Sequence, residues 1–309
     1  MPIRSYRPDR TVQNAAQGHD ILCRTMPESQ TPGPVVLRIR LGATLRRLRE
    51  ARGITAQRAA EAIRASDSKI SRIELGRHGA REIDVSDLLT LYGVTETAER
   101  EQLLQLASDA LARPWWHGQA DILPVWFQTY LGLEEAADAL ESYDTHFVPG
   151  LLQTADYAAA LLTQADFSQE EIARFLNLRA QRTERFAAGG GRLAAVIDEA
   201  VLRRPVGGRD VFAAQLEYLE AAARRRAVAV RIRPFAAGAP LGPSGFTILH
   251  FADEALPDAV YTEQLTSASY VDRPADVSRY AATMDLLVNT SKPAGQTAVM
   301  IAEALEGIG

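Results

Sequence analysis

Between Val36 and Leu111 the apolar positions recur every three or four residues, in five separate stretches rather than one long run. Leu41, Leu45 and Leu48 share one face of a helix from about Val36 to Ala51. Thr55 is placed to cap a short helix over Ala56 to Ala62, with Ala59, Ala60 and Ile63 turned inward. Ile63, Arg64 and Ala65 form a turn, Ser66 is a second N-cap, and a third helix runs to Leu75 and closes at Gly76. Ile70 and Ile73 face inward on it, which leaves Asp67, Ser68, Lys69 and Arg72 on the opposite side. Further helices at Val85–Tyr92 and about Glu96–Leu111 supply the apolar faces that a helix-turn-helix cannot bury by itself.

The pattern breaks at Arg113-Pro114-Trp115-Trp116-His117-Gly118, where a domain boundary is expected with its tryptophans packed between the two sides. Beyond it, Asp121 to Tyr143 reads as helical, with Leu133, Ala137 and Leu140 on a stripe. Thr154 caps a helix through Leu162, and Ser168 with Glu171 forms a capping box for another to about Ala187. Leu193–Ile197, Ala227–Ile232, Phe246–Phe251 and Ala259–Thr262 read as strands. Gly207-Gly208 and Pro240 to Gly245 read as turns, the Gly189-Gly190-Gly191 run as a connection, and Pro274–Leu287 and Ala294–Leu305 as the last helices. The predicted fold class is therefore multidomain: an all-α five-helix domain over 36–112, followed by a larger α+β domain over 113–309. Residues 1–35 are rich in Pro, Gln, Arg and Thr without periodicity, and are expected to form a disordered leader. Met26 opens MPESQTPGPVV and is a candidate translation start beside Met1, in which case Cys23 has no role.

Charge sharpens this picture. Twelve Lys and Arg stand against four Asp and Glu from Arg38 to Arg81, a local +8 in a chain of net −5, so the remainder carries −13. Affinity for a polyanion follows the local field over a Debye length of about 8–10 Å rather than the global sign. Arg46, Arg47, Arg52, Arg58, Arg64 and Arg77 are phosphate candidates. Ser68, Lys69 and Arg72, in the first turns of the third helix, are the candidates for base edges, with Asp67 ranked below them because its carboxylate must accept from a cytosine or be repelled. No apolar run reaches the ~18 residues of a membrane helix, and the first 25 residues lack a signal-peptide core. A cytoplasmic protein is expected. With a single cysteine no intramolecular disulfide is possible, and the five scattered histidines have no metal-ligand spacing, so neither metal nor cofactor is expected.

Leu41-Gly42, Leu45, Leu48-Arg49, Gly53-Ile54-Thr55, Ala59-Ala60, Ser66, Ser68-Lys69-Ile70-Ser71, Ile73-Glu74, Gly76, Leu88-Leu89 and Tyr92 together resemble the xenobiotic-response-element and Cro/repressor family of helix-turn-helix regulators. That resemblance implies a phosphate contact for Gln57, at the opening of the first motif helix, and adds Ser66 to the phosphate set. Two positions depart: Ala59-Ala60 stands where Leu-Ala is usual, and Ile63 to Ala65 lacks the glycine often found in the turn. The second half resembles the uncharacterised domain that follows such a motif in many regulators of high-GC Gram-positive bacteria. Val148-Pro149-Gly150-Leu151-Leu152-Gln153-Thr154-Ala155-Asp156-Tyr157, Asp198-Glu199-Ala200-Val201-Leu202, Val206-Gly207, Gln215-Leu216, Pro234-Phe235, Phe246 and Tyr261 carry that likeness, and 32 Arg against two Lys suits such a genome. Thr183-Glu184-Arg185 stands where an Arg-Gln pair is common.

These residues lead to a transcriptional regulator that binds a double-stranded DNA operator as a homodimer. Its second domain would sense a small-molecule ligand or bind a protein. The alternative implied by the resemblance is an antitoxin-like protein that binds a small acidic partner and regulates its own operon. Catalysis is not expected: Asp198-Glu199 before Ala-Val-Leu is a helix N-terminus, and no nucleophile elbow, phosphate loop or dinucleotide fingerprint occurs.

Overall fold

The computed structural model describes residues 32–308 except 243, 254 and 255; most of the predicted leader, the Met26 start and Cys23 lie outside them. The first helix, α1 (Pro34–Ala51), begins two residues earlier than its apolar stripe predicts. Pro34 occupies the first turn, where its missing N–H is no loss. Four helices follow: α2 (Ala56–Ala62), α3 (Asp67–Glu74), α4 (Glu82–Leu91) and α5 (Thr97–Ala110). Leu41 and Leu45 of α1, Ala59 and Ala60 of α2, Ile70 and Ile73 of α3, and Val85, Leu88 and Leu89 of α4 close one core with Leu103 and Ala107 of α5. The predicted all-α unit and its five helices are present.

The second half is a six-stranded sheet between helical layers. Its elements are α6 (Val125–Ala136), β1 (Ala139–Asp144), α7 (Ala155–Gln164), α8 (Gln169–Ala188), β2 (Arg192–Asp198), α9 (Glu199–Leu202), α10 (Arg209–Ala222), β3 (Val228–Arg233), β4 (Phe246–His250), β5 (Ala259–Glu263), β6 (Ala268–Val271), α11 (Pro274–Thr290) and α12 (Ala294–Glu306). Strand order is β3-β2-β1-β4-β5-β6, with β1, β2 and β3 parallel and β4, β5 and β6 antiparallel. Crossovers through α7–α8 and α9–α10 make the parallel part possible. One face, bearing Leu140, Leu193, Ile197, Ile232 and Leu249, packs under α6, α7, α8, α10 and α12; the other, bearing Tyr143, Val196 and Ile248, packs on α11.

This corrects the predicted helix over Asp121–Tyr143. The helix ends at Ala136, Ala137 is extended, and the following six residues form the central strand. Leu133, Ala137 and Leu140 mimic a helical stripe, but pairing with β2 on one side and β4 on the other satisfies the backbone of 139–144 and overrides it. Helix α10 and strand β6 also lie outside the elements predicted from sequence.

The boundary residues do more than break a helix. Trp116 is buried with Val35 of α1, Leu131 of α6, Leu178 of α8 and Leu123. Arg40 of α1 pairs with Asp253 of the second half. At Gly132 the approach of α1 and α6 is closest: an added methyl would lie 2.3 Å from Val35 Cγ2. Gly132→Ala should therefore cost about 1–3 kcal/mol through overpacking, against a helix-propensity gain of at most about 1 kcal/mol. Chemical denaturation checks this, and a variant as stable as the parent would contradict the tight junction.

Candidate nucleic-acid interface and polar cavity

Helix α3 is fixed from behind. A methyl on Gly42 of α1 would lie 2.3 Å from the Ile73 carbonyl, so the two helices meet at backbone contact. Beside it Arg49 clamps Glu74 through two hydrogen bonds, Nε to Oε1 at 2.6 Å and Nη2 to Oε2 at 2.9 Å, while its Nη1 donates to the Ile54 carbonyl at 2.8 Å. Glu74 is thereby held with its charge matched. Gly76 takes φ +65°, and its Cα side abuts Ile39, so only glycine closes α3 without strain.

With Ile70 and Ile73 buried, α3 presents Ser66, Asp67, Ser68, Ser71 and Arg72 to solvent. Ser71 belongs to this face although the sequence-based candidates omit it; its spacing of three from Ser68 and four from Asp67 is the available signal. Arg72 Nε donates to the Ser68 carbonyl at 3.2 Å and lies along the same exposed side. Lys69 is placed differently from expectation. Its Nζ is 2.9 Å from Asp84 Oδ2, and that carboxylate, almost fully buried at the start of α4, also receives Nε and Nη2 of Arg81. Arg81 first, then Lys69, holds the Asp84 carboxyl below its usual range. Lys69 joins α3 to α4 rather than pointing into a groove.

Ser66 is the predicted N-cap by position, but its hydroxyl bonds the Ser68 hydroxyl at 2.9 Å instead of a backbone N–H. Thr55 caps α2 as predicted, accepting from the Arg58 amide at 3.2 Å. The basic excess is also thinner than counting implies. Arg46 pairs with Glu50, Arg58 with Glu61, Arg49 with Glu74, and Arg52 donates to the Gly93 carbonyl. Among the described residues, no carboxylate is within ion-pair reach of Arg47, Arg64, Arg72 or Arg77, and all four are exposed. The Arg46–Glu50 pair is itself exposed and screened by solvent, so it does not withhold Arg46 from another anion. Gln57 is exposed at the start of α2.

The second half contains a polar cavity of about 50 Å³ over the central strand. Ser142 and Asp144 of β1 point to its floor beside Leu140, with Thr247 opposite Ser142 on β4 and Leu193 on β2. Its walls include Tyr130 and Glu134 of α6 and Arg182 of α8. Glu134 and Arg182 form a buried two-point pair at 2.7 and 2.8 Å, with the guanidinium lying against the Phe127 and Tyr130 rings. Burial disfavours the charged guanidinium, yet Glu134 overcomes this and leaves the Arg182 pKa raised. The cavity roof is Pro149-Gly150-Leu151, part of the most specific sequence block. That block is held by several hydrogen bonds: Arg179 donates to the Gly150 carbonyl and to Gln153 Oε1, Gln153 to the Val148 carbonyl, and buried Gln215 both accepts from the Thr154 amide and donates to the Leu152 carbonyl. Arg179 has no carboxylate partner, and burial, helped by neighbouring Arg182, lowers its pKa to about 10.

A family described as a helix-turn-helix domain matches residues 40–103, and the domain of unknown function DUF5753 matches residues 127–303, more than half of the chain. The chain belongs to the DUF5753 family. No curated protein and no solved structure matches it. The helix-turn-helix domain preceding the DUF5753 half supports a DNA-binding regulator. Within that half, Asp198 caps α9 by accepting from the Ala200 amide at 3.0 Å, as the Asp-Glu-Ala-Val-Leu pattern predicts. His250, the histidine that strand β4 carries, lies far from Asp198. Strand registers set His250 level with Arg192, at the opposite end of β2 from Asp198, roughly 20 Å away at ~3.3 Å per residue. His250 instead sits between Asp258 at 2.7 Å and Glu141 at 3.3 Å; burial opposes its charge, but the two carboxylates prevail and raise it to about 9. No helix among the described residues is long and apolar enough to cross a membrane.

Two expectations follow. Arg64 occupies the α2–α3 turn with φ +52°, so a side chain stands where glycine would be unstrained. Arg64→Gly should raise stability by roughly 0.5–1 kcal/mol, with no gain in thermal denaturation contradicting the strain. Asp144 carries the second. Burial pushes its carboxyl from 3.8 up to about 7, against a weaker pull from Ser142. The folded state therefore retains a proton that the unfolded chain releases, and stability falls as pH rises from about 4 to 7. Glu134, Arg182 and Tyr130 face the same cavity but are shared with the variant. Asp144→Asn should gain about 1–3 kcal/mol more over the parent at pH 8 than at pH 5. A gap independent of pH would show that Asp144 is ionised throughout.

Proposed function

We propose that this protein is a repressor-like transcriptional regulator of the xenobiotic-response-element type that reads a DNA operator with α3 and acts without catalysis. The observation that carries this is the face of α3: five polar exposed residues on a helix braced by α1, next to arginines that have no carboxylate partner. Ser68, Ser71 and Arg72 are assigned to base edges, with Asp67 accepting from a cytosine N4. Gln57, Ser66, Arg64, Arg77 and Arg46 are assigned to phosphates, joined by Arg47. The DUF5753 half is assigned a sensory role. A small cavity with buried polar oxygens favours a small ligand there over the antitoxin-like alternative, in which an acidic partner protein would need a broad surface. Binding as a homodimer to half-sites about one helical turn apart, in the cytoplasm, completes the proposal.

Selection of the operator from random duplexes, followed by binding measurements with two variants, tests it. Arg72→Ala should lose roughly 1–3 kcal/mol on the selected site while leaving random DNA nearly unchanged. Lys69→Ala should instead lower stability by about 1–2 kcal/mol, because the buried Asp84 keeps Arg81 but loses its second cationic partner, with the smaller effect on operator choice. The reverse outcome would move Lys69 into the groove and Arg72 out of it. Failure to select any sequence would overturn specific recognition.

A further inference from the structure

Ser142 and Asp144 are two residues apart on β1, so both side chains rise from the same sheet face into the cavity. Asp144 retains some exposed surface as a residue, but its Oδ2 is sealed from solvent and accepts no hydrogen bond. The Ser142 hydroxyl is likewise buried; it pulls weakly on the Asp144 carboxyl but makes no hydrogen bond of ordinary geometry to it or to any other group. Neither is satisfied by the nearby cations: Arg182 is taken up by Glu134, and Arg179 is directed at the Gly150 carbonyl and Gln153. Two adjacent orphan oxygens, one of them a carboxylate, call for a positively charged group with several N–H donors. Leu140, Leu151 and Leu193 supply apolar surface beside these oxygens, and the rest of the lining is Tyr130, the paired Glu134 and Arg182, Thr247 and Pro149-Gly150. A volume of about 50 Å³ has room for roughly four water-sized atoms.

We propose that this cavity binds a small aliphatic primary amine as its ammonium ion, with Asp144 as counter-ion, Ser142 as second acceptor and the three leucines around the alkyl chain. The proposal rests on the sensory reading of the DUF5753 half and names the chemistry of what is sensed. It assigns a reason to the Pro149-Gly150-Leu151 roof, which Arg179 and Gln153 hold over the site. Water filling the cavity is the competing occupant.

Propylammonium chloride is a probe of matching size, titrated at pH 8, where Asp144 is ionised and the amine still protonated, into the full-length protein against sodium chloride at equal ionic strength. A saturable rise in melting temperature with millimolar affinity is expected. Tetramethylammonium, which has no N–H, and 1-propanol, which has no charge, should give none. Asp144→Asn should weaken propylammonium at least tenfold while the variant stays folded, because it removes a buried charge rather than a packed group. Ser142→Val keeps the carboxylate but fills the space, and should also abolish the effect, so the result does not hang on one variant. No saturable shift, or an equal shift in Asp144→Asn, or an equal response to tetramethylammonium, would overturn the site and leave water as its occupant. Amine binding that leaves operator affinity unaltered would uphold the site and overturn only the sensory reading.

Discussion

Helix α1 belongs to two cores at once, and the arrangement of everything else depends on that. Its first turn sends Val35 against Trp116 and the bare backbone of Gly132. Its second half sends Leu41 and Leu45 into the helix-turn-helix core and lays Gly42 against the end of α3. One continuous helix carries both contacts, so the attitude of α3 is referred to α6. Both ends use the same device, a glycine that lets backbone come within a side chain's thickness, and both are rigid for that reason. The Arg40–Asp253 pair adds a polar tie between the same helix and the second half.

The polar interior of the second half obeys a stricter rule than the helical core. A buried charge is tolerable when matched, and removing one partner of a pair such as Glu134–Arg182 leaves a cost of about 3–5 kcal/mol. Around the 148–157 block most buried polar atoms are met by others: Arg179 Nη1 by carbonyl and amide oxygens, Gln215 by the Leu152 carbonyl and the Thr154 amide, with Arg179 Nε left over. This explains why so specific a run of residues is needed there, since a turn packed over a sheet must find hydrogen bonds for its own backbone. Asp144 and Ser142 break the rule together and on one face of β1, which is what sets the cavity apart from a packing defect.

Local physics made the five N-terminal helices legible. Thr55 and the inward spacing of Ile70 and Ile73 act within a turn or two of themselves, and the helix bounds from sequence are accurate to a few residues. Capping also disclosed α8 and α9, through Ser168 with Glu171 and through Asp198. Strand β1 was hidden because its reason for existing lies elsewhere: its partners, β2 and β4, begin some fifty and a hundred residues later in the chain. The apolar spacing of Phe212, Leu216 and Leu219 in α10, by contrast, is a visible helical pattern that lay just past the Gly207-Gly208 turn. At the candidate interface the exposed face of α3 followed from periodicity, whereas Lys69 did not, since Asp84 reaches it from another helix. Counting charge could not reveal that many of the arginines near the motif are already engaged.

The cavity and α3 are joined by a short chain of contacts. Glu134, on the cavity wall, lies two residues from Gly132; Gly132 bears on Val35; and α1 carries Gly42 to the Ile73 carbonyl. Contiguity of this kind provides a route, but transmission requires that some element on it have two arrangements with different affinity for the cavity's occupant. Helix α6 is suited to be that element. Its Glu134 is bound to α8 by Arg182, so a shift of α8 or of the cavity floor acts on it directly. At the other end, the contact with Val35 leaves no slack to absorb a displacement. A movement of α6 by a few tenths of an ångström must then either carry α1 with it or strain the junction. Because Gly42 of α1 meets the Ile73 carbonyl at backbone contact, a displacement of α1 would bear on the helix proposed to meet DNA.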